Sequence, residues 1–268
     1  MCQLLGMNCN VPTDINFSFE GFIQRSGLTA DHCDGFGISF FEGKSIRIFR
    51  DNLPAYQSPI ANAVKNLHIK SCNVIAHIRK ATQGEVNLEN THPFVRELWG
   101  ENWVFAHNGN LNHIPSDGQN LLHSSHSHCQ NLYQPIGNTD SEKAFCFILN
   151  QFRNSFSHKP SLQQLMAALS ILSEALQQGG TFNFLLSNGD LMFAYSTTDL
   201  HYLTRHAPFG KASRIDDGGV IDFQNYTNEG DKVTVIATLP LTKDENWLKI
   251  QNKKLYLFEN GELIHFCD

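Results

Sequence analysis

Met1-Cys2-Gln3-Leu4-Leu5-Gly6-Met7 opens the chain with a thiol directly behind the initiator. Cysteine is small, so trimming of Met1 is expected and would leave Cys2 carrying both a thiol and a free α-amine. A thiol is a good nucleophile only as thiolate, and an α-amine with an unperturbed pKa of about 7.7–8.0 can act as its base near working pH. The same residues also read as the first strand of a buried sheet, in which Cys2 would merely pack.

Outward from that strand, the composition is that of a soluble globular chain: 268 residues, 41% hydrophobic, 17% charged, net charge −6. An acidic balance without Lys/Arg clusters argues against nucleic-acid and anionic-membrane partners, which need positive patches. No run approaches the roughly 18 apolar residues of a membrane span, and no basic-then-apolar leader precedes Cys2, so a cytoplasmic protein is expected. The seven cysteines (Cys2, Cys9, Cys33, Cys72, Cys129, Cys146, Cys267) are odd in number and form no CxxC pair, which suits reduced thiols rather than a disulfide framework.

Strand-like and helix-like runs alternate in the N-terminal half. Asp14 is placed to cap a helix carrying Phe17, Phe19, Phe22 and Ile23, and residues 35–41 read as a strand turning at Glu42-Gly43 into a second strand from Ser45. A helix over residues 58–69 is followed by strand-length runs at Cys72 to Arg79 and Asn102 to His107. Thr139-Asp140-Ser141-Glu142 has the form of a capping box ahead of Phe145, Ile148, Leu149 and Phe152, and a second amphipathic helix stops at Gly179-Gly180. The remainder is mostly strands, with hairpins at Asn188-Gly189 and Asn260-Gly261. Strands with helices segregated from them indicate an α+β layered fold, and no linker divides residues 2–268, so one domain is expected.

Four separated features each match a part needed to split a carboxamide. Cys2 is the nucleophile. Arg79, at a strand end, has a planar fork suited to a carboxylate. Asn108-Gly109 follows a strand, where a side-chain amide and a backbone N–H could form an oxyanion hole, although Asn-Gly is also the strongest hairpin signal. Asp140, in a first helical turn, could accept an amino group or simply complement the helix dipole. The run His123-Ser124-Ser125-His126-Ser127-His128-Cys129 superficially suggests a metal site, but one local run in a polar stretch between Asn112 and Asn138 reads as a surface loop. No metal or other cofactor is expected.

The motifs Met1-Cys2-Gln3-Leu4-Leu5-Gly6-Met7, Asp34-Gly35-Phe36-Gly37, Ala76-His77-Ile78-Arg79, Asn90-Thr91-His92-Pro93-Phe94, Ala106-His107-Asn108-Gly109 and Thr139-Asp140-Ser141-Glu142-Lys143 follow one another in this order, and the series continues through Ala237-Thr238-Leu239-Pro240-Leu241-Thr242 to Glu245-Asn246-Trp247. Together they resemble a class-II glutamine amidotransferase domain of the N-terminal-nucleophile hydrolase superfamily, most closely its standalone YafJ-type members. The resemblance implies a four-layer αββα sandwich of two antiparallel sheets between helical layers. It implies attack by Cys2 on a γ-carbonyl, with Asn108 and the Gly109 N–H as oxyanion donors. Arg79 would take the α-carboxylate and Asp140 the α-amino group of glutamine or a small γ-glutamyl substrate, with Thr82 a weaker candidate beside Arg79. Members with a fused synthase read Arg-Trp-Ala-Thr-His-Gly where this chain has Arg79-Lys80-Ala81-Thr82-Gln83-Gly84. The leading expectation is a γ-glutamyl amide hydrolase releasing glutamate through a thioester. The alternatives are a glutaminase subunit supplying ammonia to a separate synthase partner, and a non-enzymatic metal- or ligand-binding protein using the His-rich loop. Homo-oligomerisation is left open.

Overall fold

The computed structural model describes residues 2–116, 121–122 and 131–266. The first half runs β1 (Gln3–Asp14), α1 (Asn16–Gln24), β2 (Phe36–Glu42), β3 (Ser45–Asp51), α2 (Pro59–Leu67), β4 (Lys70–Ile78), β5 (Phe94–Leu98) and β6 (Glu101–Leu111). Two long helices follow, α3 (Asp140–Ser155) and α4 (Leu162–Gln177). The rest is β7 (Gly180–Ser187), β8 (Leu191–Ser196), β9 (His201–His206), β10 (Lys211–Ser213), β11 (Val220–Asp222), β12 (Lys232–Ala237), β13 (Leu248–Lys249), β14 (Lys254–Glu259) and β15 (Glu262–Phe266).

These strands build a seven-stranded sheet, ordered β13-β9-β12-β1-β4-β2-β3, and a six-stranded sheet, ordered β15-β14-β8-β7-β6-β5, with β10-β11 as a separate ribbon. All pairings in both large sheets are antiparallel. Three apolar layers hold them. Phe19 and Phe22 of α1 and Ala61 and Val64 of α2 pack on Leu5, Met7 and Ile38 of the first sheet. Phe145 and Phe152 of α3 and Leu169 of α4 pack on Trp103 and Phe105 of the second. Leu4, Ile75, Val104, Ala106, Leu185 and Ile236 fill the seam where the sheets face each other. The result is the four-layer αββα sandwich, and with both faces of its strands covered, the central strands read as continuous apolar runs.

Local chemistry fixes the boundaries. Ser58 caps α2 by accepting from the Ile60 and Ala61 N–H groups, and Ser161 with Gln164 forms a reciprocal capping box on α4. Three expectations need correction. The first strand runs on to Asp14, so the N-cap of α1 is Ile15, and Asp14 accepts from the Asn16 N–H from one position further back. Asn108-Gly109 is no turn, because β6 continues through it in register with β7. The box on α3 is half made: Thr139 accepts from the Glu142 N–H, whereas the Glu142 carboxylate pairs with Arg96 and the Gly137 N–H. Arg96 is a tertiary partner and Gly137 lies just ahead of the box, so neither is visible within the four-residue motif. The His-rich run 123–129 lies outside the described residues.

Candidate active site

Strand alternation brings the chemistry to one end of the seam. In β1, Leu5 and Met7 face the α1/α2 layer while Leu4 faces the opposite sheet, so the two-residue period carries Cys2 to the seam side. The same count runs from Ile75 through His77 to Arg79 beyond β4, from Val104 and Ala106 to Asn108 in β6, and from Ile236 to Thr238 beyond β12. The β1–β4 register pairs Gln3 with Ile78 and Leu4 with His77, which sets Cys2 across from Arg79. Cys2, Arg79, Thr82, Gly109 and Asp140 line one narrow cleft together with Lys80, Gln83, His92, His107 and Ser141. Larger hollows lie elsewhere, beside Arg50 and Arg96, between Asn16 and Phe223, and beside Tyr133 and Cys146, but none of these is lined by Cys2, Arg79 or Asp140.

The Cys2 sulfur sits in the loop after β4, accepting from the Lys80 N–H at 3.3 Å and facing the Lys80 carbonyl at 3.4 Å. Burial pushes the thiol above its usual range and nearby Asp140 adds to the shift, while the Lys80 N–H and the Arg79 guanidinium act against it. The thiol is therefore the resting form, and forming a thiolate there would need a base.

Arg79 is buried and donates to the carbonyls of Glu85 (2.8 Å), Gln83 (3.0 Å) and Gly84 (3.3 Å). It thus shapes the 80–85 loop, a task that spacing alone did not suggest. A guanidinium has five N–H donors, so three such bonds leave two. Across the cleft, Asp140 stands at the first position of α3, and its Oδ2 accepts from the Leu111 N–H at 2.7 Å. Among the described residues, Asp140 Oδ1 has only a long contact with Ser141 Oγ at 3.4 Å. Thr82 is exposed at the lip of the cleft.

Asn108 is fully buried in β6 and its carbonyl accepts from Asn183 Nδ2 at 2.8 Å. The Phe182 N–H donates to Thr197 Oγ1 at 2.9 Å, which marks Gly109–Phe182 as a non-hydrogen-bonded pair of the β6–β7 ladder. The Gly109 N–H then points away from β7, to the side that β5 leaves open by ending at the Phe94–Phe105 pair. Only glycine fits here: a Cβ would lie 1.9 Å from the Thr181 carbonyl oxygen.

Several residues of the site carried no assigned role in the sequence. His77, His92 and His107 form a buried group beneath the cleft, with the first two rings 4.1 Å apart. His77 Nε2 donates across the seam to the His107 carbonyl at 3.1 Å, and His107 Nε2 donates to the Thr181 carbonyl at 3.2 Å while Nδ1 accepts from Ser141 Oγ at 2.9 Å. Burial, aided by His107 and Arg79, pulls His77 down to about 3. Burial likewise lowers His92 and His107, in the latter case against the pull of Asp140, so all three are neutral. Their signal in sequence was their place inside Ala76–Arg79, Asn90–Phe94 and Ala106–Gly109. Among the described residues no group of three or more His, Cys, Asp or Glu side chains is arranged to hold a metal ion.

Two face-to-face antiparallel sheets between helical layers, with a cysteine at the head of a central strand, define the N-terminal-nucleophile hydrolase architecture. The chain belongs to the class-II glutamine amidotransferase family, whose model matches residues 1–268. A candidate glutamine amidotransferase from Haemophilus influenzae is 59% identical over 98% of this chain and 86% of its own length. The candidate glutamine amidotransferase YafJ of Escherichia coli is 49% identical over 98% of this chain and all of its own. A crystal structure of a glutamine amidotransferase homologue from Pseudomonas aeruginosa superposes with a TM-score of 0.74 at 39% identity, covering 98% of this chain and 100% of that one. The glutamine phosphoribosylpyrophosphate amidotransferase of Bacillus subtilis shares the fold, with a TM-score of 0.60 at 15% identity over 48% of its chain.

Proposed function

We propose that the protein is an amidohydrolase that cleaves the γ-carboxamide of glutamine or a small γ-glutamyl compound, with Cys2 as nucleophile once Met1 is removed. The observation that carries this reading is the single cleft in which Cys2, Arg79, Gly109 and Asp140 meet from four separate segments of chain. Arg79, with two N–H donors left over, takes the α-carboxylate, and Asp140 Oδ1 takes the α-ammonium. This seats the γ-carbonyl against the sulfur. The α-amine of Cys2 accepts the thiol proton, the sulfur adds to the γ-carbon, and the oxyanion is met by the Gly109 N–H and the Asn108 amide. The amine then returns the proton to the leaving nitrogen, and water attacks the thioester to release glutamate. Thr82, exposed at the lip of the cleft beside Arg79, is the weaker candidate for contact with the substrate.

The Met1-free protein, incubated with a panel of γ-glutamyl amides and followed by mass spectrometry, is expected to release glutamate from at least one of them. Cys2→Ala should abolish that release while leaving the thermal unfolding midpoint in place. Undiminished turnover by Cys2→Ala refutes the assignment.

A further inference from the structure

Thr238 lies just beyond the end of β12, at the seam between the sheets, and is 5% exposed. Its hydroxyl is the meeting point of two otherwise distant parts of the site. Thr238 Oγ1 accepts from the Leu4 N–H at 2.9 Å, two residues from Cys2, and stands 3.3 Å from Asn108 Nδ2 in the six-stranded sheet. Its backbone also holds the first strand, with the Thr238 N–H donating to the Leu4 carbonyl at 3.1 Å, and its own carbonyl meets His201 Nδ1 at 2.9 Å. One buried hydroxyl therefore ties the strand of the nucleophile to the amide of the oxyanion donor.

The hydrogen-bond count does not balance with the Asn108 amide in that orientation. Two donors, Leu4 N–H and Asn108 Nδ2, then converge on Thr238 Oγ1, and Asn108 Oδ1 is left buried with no partner among the described residues. A buried polar end without a partner destabilises the fold. The two ends of a carboxamide have the same shape, so the network decides which end lies where. Turning the amide over keeps two hydrogen bonds, the Leu4 N–H donating to Thr238 Oγ1 and the Thr238 hydroxyl proton going to Asn108 Oδ1, and makes the unpaired end the Nδ2 donors in place of the Oδ1 acceptor, which is the polarity an oxyanion requires.

We infer that Thr238 is a positioning residue for the reaction proposed above: its hydroxyl donates to Asn108 Oδ1 and so turns the Asn108 NH2 toward the oxyanion that forms on attack by Cys2. The inference rests on that reading of the site. It makes the oxyanion donor an arrangement of two residues from opposite sheets, because β6 alone does not fix which end of its amide faces the reacting carbonyl. Substrate is held by other groups, Arg79 and Asp140, so the contribution of Thr238 falls in the transition state.

The test compares Thr238→Val, which keeps the shape and loses the hydroxyl, with Thr238→Ser, which keeps the hydroxyl; Thr238→Ala replaces the valine variant should that fail to fold. The expected result is a kcat lowered about 10- to 100-fold in the valine variant, a fraction of the 10²–10³ that removal of an oxyanion donor costs, with KM within about twofold and kcat restored by serine. Alkylation of Cys2 by iodoacetamide, a displacement that builds no oxyanion, should proceed at the wild-type rate in all variants. An unchanged kcat in the valine variant overturns the inference, as does a loss that serine fails to restore or that slows alkylation equally. A wild-type protein inert toward every γ-glutamyl amide would instead refute the proposed reaction. Independently of turnover, a neutron crystal structure of the Met1-free protein should show the Thr238 hydroxyl deuterium directed at Asn108 Oδ1, and deuterons of the Asn108 amide directed at Thr238 would overturn the inference.

Discussion

Arg79 has two employments, and they separate experimentally. Its guanidinium bonds to three loop carbonyls, and in the proposed reaction the same group takes the substrate carboxylate. Arg79→Ala should raise KM at least about tenfold, because the charge-assisted hydrogen bonding of the substrate carboxylate is lost. It should also lower stability by about 1.5–3 kcal/mol through the released carbonyls, read from urea unfolding. A KM change with no loss of stability would show that the loop does not depend on it. The buried histidines make a second prediction of the same scale. His77 has a folded value of about 3 against an unfolded value of about 6.5, so between these the unfolded chain holds the extra proton. Stability from this group is therefore complete above about pH 6.5 and falls by up to about 1.4 kcal/mol per pH unit as pH drops toward 3, and His92 and His107, shifted in the same direction, steepen the slope. Thermal unfolding midpoints from pH 7.5 down to 4.5 should decline accordingly, and a flat profile would contradict neutral burial.

Among the elements, β6 concentrates the most function in the least sequence. Its odd residues Trp103 and Phe105 pack on the long helices, its even residues Val104 and Ala106 fill the seam, and the same alternation delivers His107 to Ser141 of α3 and Asn108 to Thr238. At Gly109 this strand passes too close to β7 for a side chain. Gly109→Ala would set a Cβ 1.9 Å from the Thr181 carbonyl and 2.6 Å from His107 Nε2, neither at the end of a flexible side chain that can swing away. A loss of about 3 kcal/mol or more is expected, together with loss of turnover, because the ladder must open to accept it. A variant of wild-type stability would show that the strand has slack there. The Asn-Gly pair also shows where local reading stops: two residues that favour a hairpin are held extended by eight consecutive pairings with β7.

Across the whole molecule, the proposed nucleophile and its oxyanion donors come from different sheets, so the spacing of the sheets is a catalytic dimension. Gly6 lies on that seam, where a Cβ would meet Leu185 Cδ1 at 2.9 Å and Met192 Sδ at 3.0 Å. Both contacts are ends of flexible side chains that can partly yield. Gly6→Val should therefore leave a folded protein, destabilised by about 1–3 kcal/mol, while shifting β1 against β6 enough to lower kcat by more than tenfold. Unaltered kcat at reduced thermal stability would argue that the site tolerates such a shift.

The sequence by itself determined most of the elements, since alternation, caps and hairpin glycines act between near neighbours: the central strands, both hairpin turns at Asn188-Gly189 and Asn260-Gly261, and the helix starts at Ser58 and Thr139 follow from residues within a few positions of one another. The ordered motifs also made the family legible, and with it the four layers. Only the tertiary structure decided which strands became neighbours, and hence that Cys2 faces Arg79, that His77 reaches His107, and that Thr238 joins Leu4 to Asn108. The physical reason is range. Propensity and periodicity are written in stretches of a few residues, whereas Thr238 stands 234 positions from Leu4 and 130 from Asn108, and a hydrogen bond between them exists only after two sheets have buried their inner faces against each other.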